Sequence, residues 1–472
     1  MNNPIQNIKK DPILELISQY IKDYNAYLVG GFVRDSILGI ENFDRDIIIE
    51  THNIEDLAKD IATAINGHFI PLDCENNIYR IVLEDKKNYI DLTSPIENSL
   101  EKDLFRRDLT INAIAYDINK QEFIDPTGGL IDLKNKIIRG ISEQNIVDDP
   151  LRLLRIFRFK SKFGFEIENT LYQQTKKHSG LITHPARERI NVELIKLFEG
   201  EFADIAIIEM DECHLLEQIL PIIRDVKTVP PNTHHHLTLF NHSIETVKQI
   251  QLFISNTNNA VKKHLNSKHL GGVKQLAYLK LAGFLHDIGK PETWTIEDKT
   301  GRHRFIKHDD VGSKIVVPIL KSLKFSKKQI EYVKKLIKYH IYPSTVVCNE
   351  EENEKAQMRF FRKMEDNVID VIIIAIADRL SALGPKVTED MVSKNINGLT
   401  SLLDKYIQIR ENLKPLEKLL DGIEIMEILN INASPLLGKV INELKEAQIN
   451  GDVSNRDEAI DFVKSTYTHI TK

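Results

Sequence analysis

The sequence predicts an α+β head built on a mixed sheet, followed by all-α segments. Three observations lead there. Apolar runs of strand length recur near 26–29, 47–49, 68–71, 78–84, 88–92 and 113–118, separated by turn residues. From about residue 148 onward the apolar spacing is almost entirely that of helices. At 472 residues the chain exceeds one hydrophobic core, so two to four domains are expected.

The elements follow in order. A polar lead precedes an amphipathic helix over 12–23. Residues 26–50 read as strand, glycine turn, helix, strand, and residues 54–66 as a helix with Asn53 as its cap. Three further strands follow, with Glu84-Asp85-Lys86-Lys87 as a turn, and a strand near 113–118 ends the head. Asp125-Pro126-Thr127-Gly128-Gly129 is a loop, and the Pro-rich stretch 229–236 is a linker. The expected division is 1–145 head, 146–228 helical neck, 229–390 body and 391–472 helical tail, a candidate RNA binder.

The chemistry starts at Tyr27 to Glu50. Gly30-Gly31 follows an apolar run, where backbone without a side chain approaches a phosphate closely. Asp44 and Asp46 begin the next apolar run. In a strand, residues two apart face the same side. Two carboxylates on one face suit a hard divalent cation such as Mg²⁺ bound with substrate phosphates. Asp91, near the next strand, is either a third carboxylate for that cation or a solvated strand end. Adjacent Arg106 and Arg107 suit triphosphate oxygens, because guanidinium forks bind phosphate bidentately. Asp108 follows them, and Asn112 suits a ribose hydroxyl or a phosphate.

Asp149 and Arg152 are three apart near Pro150, so on a helix they share a face. A carboxylate accepts from the exocyclic amine of cytosine or adenine while a guanidinium donates to the ring acceptors; uracil and guanine offer the carboxylate the wrong pattern. The alternative is a capping Asp with a local ion pair. Arg152, Arg155 and Arg158 step by three and form a basic stripe, part facing nucleotide or RNA phosphate. Glu188, Arg189 and Glu193 read as structural ion-pair residues.

The order GGFVRD, then DRD, then RRDLTINA resembles the nucleotidyltransferases of the DNA polymerase beta superfamily. Within it, the sequence is similar to bacterial-type tRNA nucleotidyltransferases (CCA-adding enzymes) and their poly(A) polymerase relatives. The resemblance implies a polymerase-beta-like head with a mixed sheet, followed by neck, HD and tail domains. It implies that Gly30, Gly31, Arg34, Arg106, Arg107, Asp108, Asn112, Asp149, Arg152, Arg155 and Arg158 bind nucleotide. Asp44, Asp46 and Asp91 would be catalytic, the first two holding Mg²⁺. The family's motif of Glu or Asp, Asp, two residues and Arg reads the base, and that role falls on Asp149 and Arg152; Asp148 departs from the commoner Glu.

A second constellation runs through the body: His242, His286, Asp287, His308, His340 and Asp378. Imidazole and carboxylate together suit a transition metal or Mg²⁺. The order H…HD…H…H…D resembles the HD phosphohydrolase domain, found in a subset of tRNA nucleotidyltransferases. It implies phosphatase or phosphodiesterase activity, or a vestigial domain. His234, His235 and His236 receive no ligand role.

The resemblance implies tRNA, CTP and ATP as partners. Many relatives that add all of CCA carry a longer Arg- and Gly-rich loop between the third acid and the RRD motif. The short LTSPIENSLEKDLF here is similar to enzymes adding only the two C residues. A poly(A) polymerase, an HD phosphohydrolase with a degenerate head and a non-catalytic RNA-binding protein are the alternatives.

Composition bounds the rest. No apolar run reaches 18 residues, which gives no membrane helix, and the start has no signal-peptide core. Three scattered cysteines form no zinc or disulfide pattern and fit a reducing cytoplasm. A net charge of −6 argues against indiscriminate nucleic-acid binding, leaving a local basic groove for RNA. A homodimer stays open.

Overall fold

The glycine turn after Val29 and the acidic start of the next strand set the head's geometry. In the computed structural model, which describes residues 8–233, 235–267, 269–348, 354–412, 419–432, 434–450 and 452–471, seven strands form one sheet. They are β1 (Ala26–Val29), β2 (Asp44–Ile49), β3 (His68–Asp73), β4 (Ile78–Val82), β5 (Tyr89–Thr93), β6 (Ala115–Asp117) and β7 (Glu122–Ile124). The spatial order is β3-β4-β5-β2-β1-β6-β7. Only β2 and β5 run parallel; every other neighbouring pair is antiparallel. The sheet is mixed, as the sequence predicts. The polar lead (1–7) and His234 lie outside the described residues.

β1 is buried throughout, and Ile47, Ile48 and Ile49 of β2 are fully buried. Helices Pro12–Ile21 and Ile54–Ala64 add Ile13, Leu14, Ile17, Ile21, Ala58 and Ile61 to the head's core. Burying one such aliphatic side chain contributes about 1.5–3 kcal/mol. The start of β2 escapes this core. Its Arg45 turns to the other side, where Asp11 accepts from Nε at 2.9 Å and from Nη2 at 2.5 Å. Asp44 and Asp46 therefore share the open side, as a period of two requires.

Cross-strand register then aligns a row. Val29 is paired with Asp46, Asp46 with Asp91, and Asp91 with Arg80. Side chains directly opposite stand on the same face of a sheet.

Helices Arg152–Phe163, Asn169–His178, Arg187–Glu199 and Ala203–Glu212 follow, then Leu239–Asn256, Gln275–Leu285, His308–Ser322, Lys327–Tyr339 and Val368–Ser381. Some local expectations shift. β7 extends the sheet beyond the strand at 115–117. Short hairpins occur at His269–Lys274 and Trp294–Phe305 within the helical region. Asn53 precedes its helix but its side chain makes no cap bond; its own N–H donates to Thr51 Oγ1. The Asp149 backbone is extended after helix Glu143–Asp148, so the next helix starts only at Arg152.

The chain divides into two compact units, residues 1–400 and 401–472. The second has its own core, with Ile425, Val440, Leu444, Ala459 and Val463. There the Ser454 N–H and Oγ–H both donate to Glu458 Oε2. Among the described residues, no helix is long and apolar enough to cross a membrane. Cys74, Cys213 and Cys348 are free.

Candidate active site and metal centres

The carboxylates of Asp44, Asp46 and Asp91 bring one oxygen each within 4.8 Å of one another. Burial, with Asp44 and Asp91 opposing and Arg107 favouring ionisation, pushes Asp46 up to about 7. Burial and Asp91 raise Asp44 as well. The charges of Asp44 and Asp91 both oppose ionisation of Asp46, and that of Asp91 opposes ionisation of Asp44, with the nearby arginines offsetting only part of it. An all-oxygen donor set of this kind fits Mg²⁺.

Gly30 sits directly against this cluster. Its φ is +73°, and a Cβ there would lie 2.8 Å from Asp46 Oδ2 and 3.1 Å from Arg107 Nη1. Any side chain would strike the acid and strain the backbone. At Gly31 a Cβ would meet only ordinary contacts, so the requirement falls on one of the two glycines.

The RRD motif closes the next side. Asp103 accepts from Arg106 at 2.9 Å and from Arg107 at 3.0 Å. Asp108 accepts from Asn112 Nδ2 at 2.9 Å and from Arg155 Nε at 2.7 Å. Asn112 Oδ1 in turn accepts from Arg34 Nη1 at 2.5 Å. Arg34 is buried against the rings of Phe159 and Phe163, 5.0 and 5.1 Å from their centres, and pairs with Asp35. Asp108 and Asn112 thus brace arginines from two segments.

Glu193 accepts from Arg158 at 3.1 Å and lies 3.7 Å from Arg155. Burial, only partly offset by Glu193, lowers Arg158 to about 10. Arg152 donates to the Arg107 carbonyl at 3.2 Å. Asp149 and Arg152 do not pair: the Asp149 carboxylate takes Arg189, 3.0 Å away. Arg189, an ion-pair residue in the sequence, makes that pair with Asp149 and also lines the cleft, as does Lys196.

Gly30, Gly31, Arg34, Asp44, Asp46, Arg106, Arg107, Asp108, Asn112, Asp149, Arg152, Arg155 and Arg158 all line one cleft of about 940 Å³. Asp91 stands behind Asp46 in the cross-strand row. Sequence reading missed Arg80, whose Nε and Nη2 reach Asp91 Oδ1 and Oδ2 at 2.7 and 2.6 Å. The alternation of β4 toward Asp91 was the available signal, but it needs the strand pairing to be read.

The second constellation also assembles. Asp287 Oδ2 lies 3.3 Å from His242 Nε2, 3.2 Å from His286 Nε2 and 2.5 Å from Lys290 Nζ. Its Oδ1 lies 3.0 Å from His308 Nε2 and 3.7 Å from His340 Nε2. Asp378 Oδ1 is 3.2 Å from His242 and 3.5 Å from His286. Neither buried Asp287 oxygen makes a well-angled hydrogen bond.

The Nδ1 atoms of His286, His308 and His340 each lie 2.7 Å from a backbone carbonyl, of Gly283, Phe305 and Ile337. His242 Nδ1 is 3.3 Å from the Ser381 carbonyl. A carbonyl only accepts, so Nδ1–H donates and Nε2 is left to face Asp287, the arrangement typical of metal-binding imidazoles. Burial opposes charge on both His286 and His340. The carboxylates of Asp287 and Asp378 overcome it and drive His286 up to about 10, while burial and the neighbouring His286 drive His340 down to about 3. The donor set fits one or two divalent ions.

Known proteins are similar to this chain along its length. A poly A polymerase head domain model matches residues 26–139, one described as "Probable RNA and SrmB- binding site of polymerase A" matches 164–226, and an HD domain model matches 239–383. An A-adding tRNA nucleotidyltransferase of Deinococcus radiodurans is 29% identical over 445 residues, 93% of this chain and 95% of the relative. A CC-adding tRNA nucleotidyltransferase of Thermus thermophilus is 28% identical, covering 93% of both chains. Among solved structures, the Thermotoga maritima CCA-adding enzyme complexed with tRNA superposes with a TM-score of 0.57 at 22% identity, covering 98% of each chain, which speaks for the fold. With head, RNA-binding and HD models in that order and full-length relatives of one kind, this chain is a nucleotidyltransferase of the bacterial-type CCA-adding family.

Proposed function

We propose that this enzyme extends tRNA 3′ ends from CTP or ATP without a nucleic-acid template. The observation that carries the reading is the convergence of Asp44 and Asp46, Gly30, the RRD motif and the arginines of helix Arg152–Phe163 on one cleft. Asp44 and Asp46, with Asp91 beside them, would hold Mg²⁺, which supplies charge against the triphosphate and the attacking 3′-hydroxyl when bound. Gly30 lets phosphate oxygens come up to the backbone. Arg106 and Arg107, oriented by Asp103, take the triphosphate. Asp149 and Arg152 read the base edge, with Asp149 held by Arg189. Arg155 and Arg158 stand behind them, neutralised by Asp108 and Glu193. No covalent enzyme intermediate is needed.

The finer reading is that only the two C residues are added. The segment between Asp91 and Arg106 supports it. It folds as a short 3₁₀ turn, Ile96–Asn98, and a helix, Leu100–Phe105, with Ser99 accepting from the Lys102 N–H. Full-length relatives include both A-adding and CC-adding enzymes, so identity alone does not choose. The test is a product map on tRNA lacking its 3′ end, supplied with CTP and ATP: products should stop after two C residues, and robust terminal A addition would remove the finer reading.

We assign His242, His286, Asp287, His308, His340 and Asp378 as an HD metal centre for a phosphohydrolase acting on phosphate esters. The four carbonyl-anchored imidazoles favour this over a vestigial domain. The division into head (1–145), neck (146–228), HD (229–390) and tail (391–472), and a place in the reducing cytoplasm with three free thiols, belong to the same proposal.

A further inference from the structure

The acidic site contains a cation of its own. Arg80 on β4 stands opposite Asp91 on β5, which stands opposite Asp46 on β2. Both Asp91 oxygens are taken by the Arg80 fork, at 2.7 and 2.6 Å, and Arg80 Nη2 is 3.8 Å from Asp44 Oδ1. The guanidinium also lies 5.1 Å from the centre of the Tyr89 ring, which limits where it can swing. Planar bidentate pairing of this kind is the strong form of a carboxylate contact.

One positive charge therefore already sits among three carboxylates, and Arg107 approaches from the Gly30 side. A divalent ion that used Asp91 would have to take an oxygen from Arg80 and accept the repulsion of a guanidinium a few ångströms away. Negative phosphates entering the cleft reverse that balance, because they attract the ion and the arginines alike.

We propose that Arg80 is a built-in counter-cation that occupies Asp91 in the free enzyme, so that a divalent ion binds weakly alone and engages all three acids only together with a nucleoside triphosphate. Arg80 is a positioning residue: it acts through Asp91 and is not among the residues that line the cleft. The inference rests on Asp44, Asp46 and Asp91 being a metal centre. That reading has its own control, because Asp46→Asn should abolish Mn²⁺ binding at this site in the otherwise unaltered protein.

The experiment is Mn²⁺ binding to the full chain by electron paramagnetic resonance, without nucleotide. The HD site is first saturated and counted in the Asp46→Asn variant. Arg80→Gln and Arg80→Met should each tighten Mn²⁺ binding at the acidic site about tenfold or more, from removal of one nearby positive charge. Arg80→Lys, which keeps the charge, should stay near wild type. With CTP present, the difference between wild type and the neutral variants should shrink. A purely structural cross-strand pair would change melting temperature and leave Mn²⁺ affinity within twofold, and that result overturns the proposal. Should both neutral variants fail to fold, wild-type protein decides. Titrating Mg²⁺ with CTP should shift the Arg80 Nε–H resonance as Asp91 is released, and an unmoved resonance overturns the proposal.

Discussion

The carboxylate of Asp149 is held by Arg189, 3.0 Å away and forty positions along the chain, and not by Arg152. This separates the two partners proposed to read the base. Arg152 is oriented from the other side, through the Arg107 carbonyl. Arg189→Ala should leave Asp149 free to rotate. The expected result is a fall in kcat/KM for CTP of roughly tenfold, consistent with loss of one charge-assisted hydrogen bond of about 1.5–3 kcal/mol, and weaker rejection of UTP. Steady-state incorporation of CTP against UTP checks both.

Gly30→Ala should remove activity by more than about a hundredfold. The added methyl meets Asp46 at 2.8 Å on a backbone with φ +73°, and the strain alone is roughly 1–2 kcal/mol. Gly31→Ala, with ordinary contacts at 3.5 and 3.6 Å, should retain most activity. Equal losses in both would refute the asymmetry.

Asp370 is a fully buried carboxylate with three polar partners from three other elements. Tyr332 Oη donates to it at 3.0 Å, His264 Nε2 lies 3.1 Å away, and Gln275 Nε2 donates at 3.3 Å. Truncation leaves those groups unpaired, so Asp370→Ala should cost about 3–5 kcal/mol in chemical denaturation. Tyr332→Phe should cost about 1–2 kcal/mol.

Lys280 is buried, donates to the Gly200 carbonyl at 2.7 Å, and is pushed by burial down to about 8. Its ordinary value is 10.5, which the unfolded chain keeps. Below pH 8 the group is charged in both states and the folded protein carries the full desolvation cost. Between pH 8 and 10.5 the unfolded chain binds more protons, so this cost fades and stability rises with pH. Lys280→Met should therefore stabilise by about 1–2 kcal/mol at pH 7, after loss of the bond to Gly200, and the gain should vanish toward pH 10.5. Denaturant midpoints at several pH values check the sign.

The local signals were legible where chemistry and periodicity are contiguous. The alternation Asp44-Arg45-Asp46 placed two acids on one face because a strand has period two. The order H…HD…H…H…D collected six candidate ligands from five segments because the motif carries their spacing. What depends on distant pairing was not legible. Nothing local to Arg80 tells that Asp91 is its cross-strand neighbour. Nothing near Arg189 points to Asp149. The missing cap bond at Asn53, whose own N–H donates to Thr51, is set by φ and ψ rather than by residue type.

The most direct measurement is single-turnover extension of tRNA lacking its 3′ end by Asp46→Asn, whose melting temperature should match wild type. If the acids at the start of β2 carry nucleotidyl transfer, addition from CTP should fall by at least about a thousandfold with tRNA binding retained. Undiminished addition by a folded Asp46→Asn protein would contradict it.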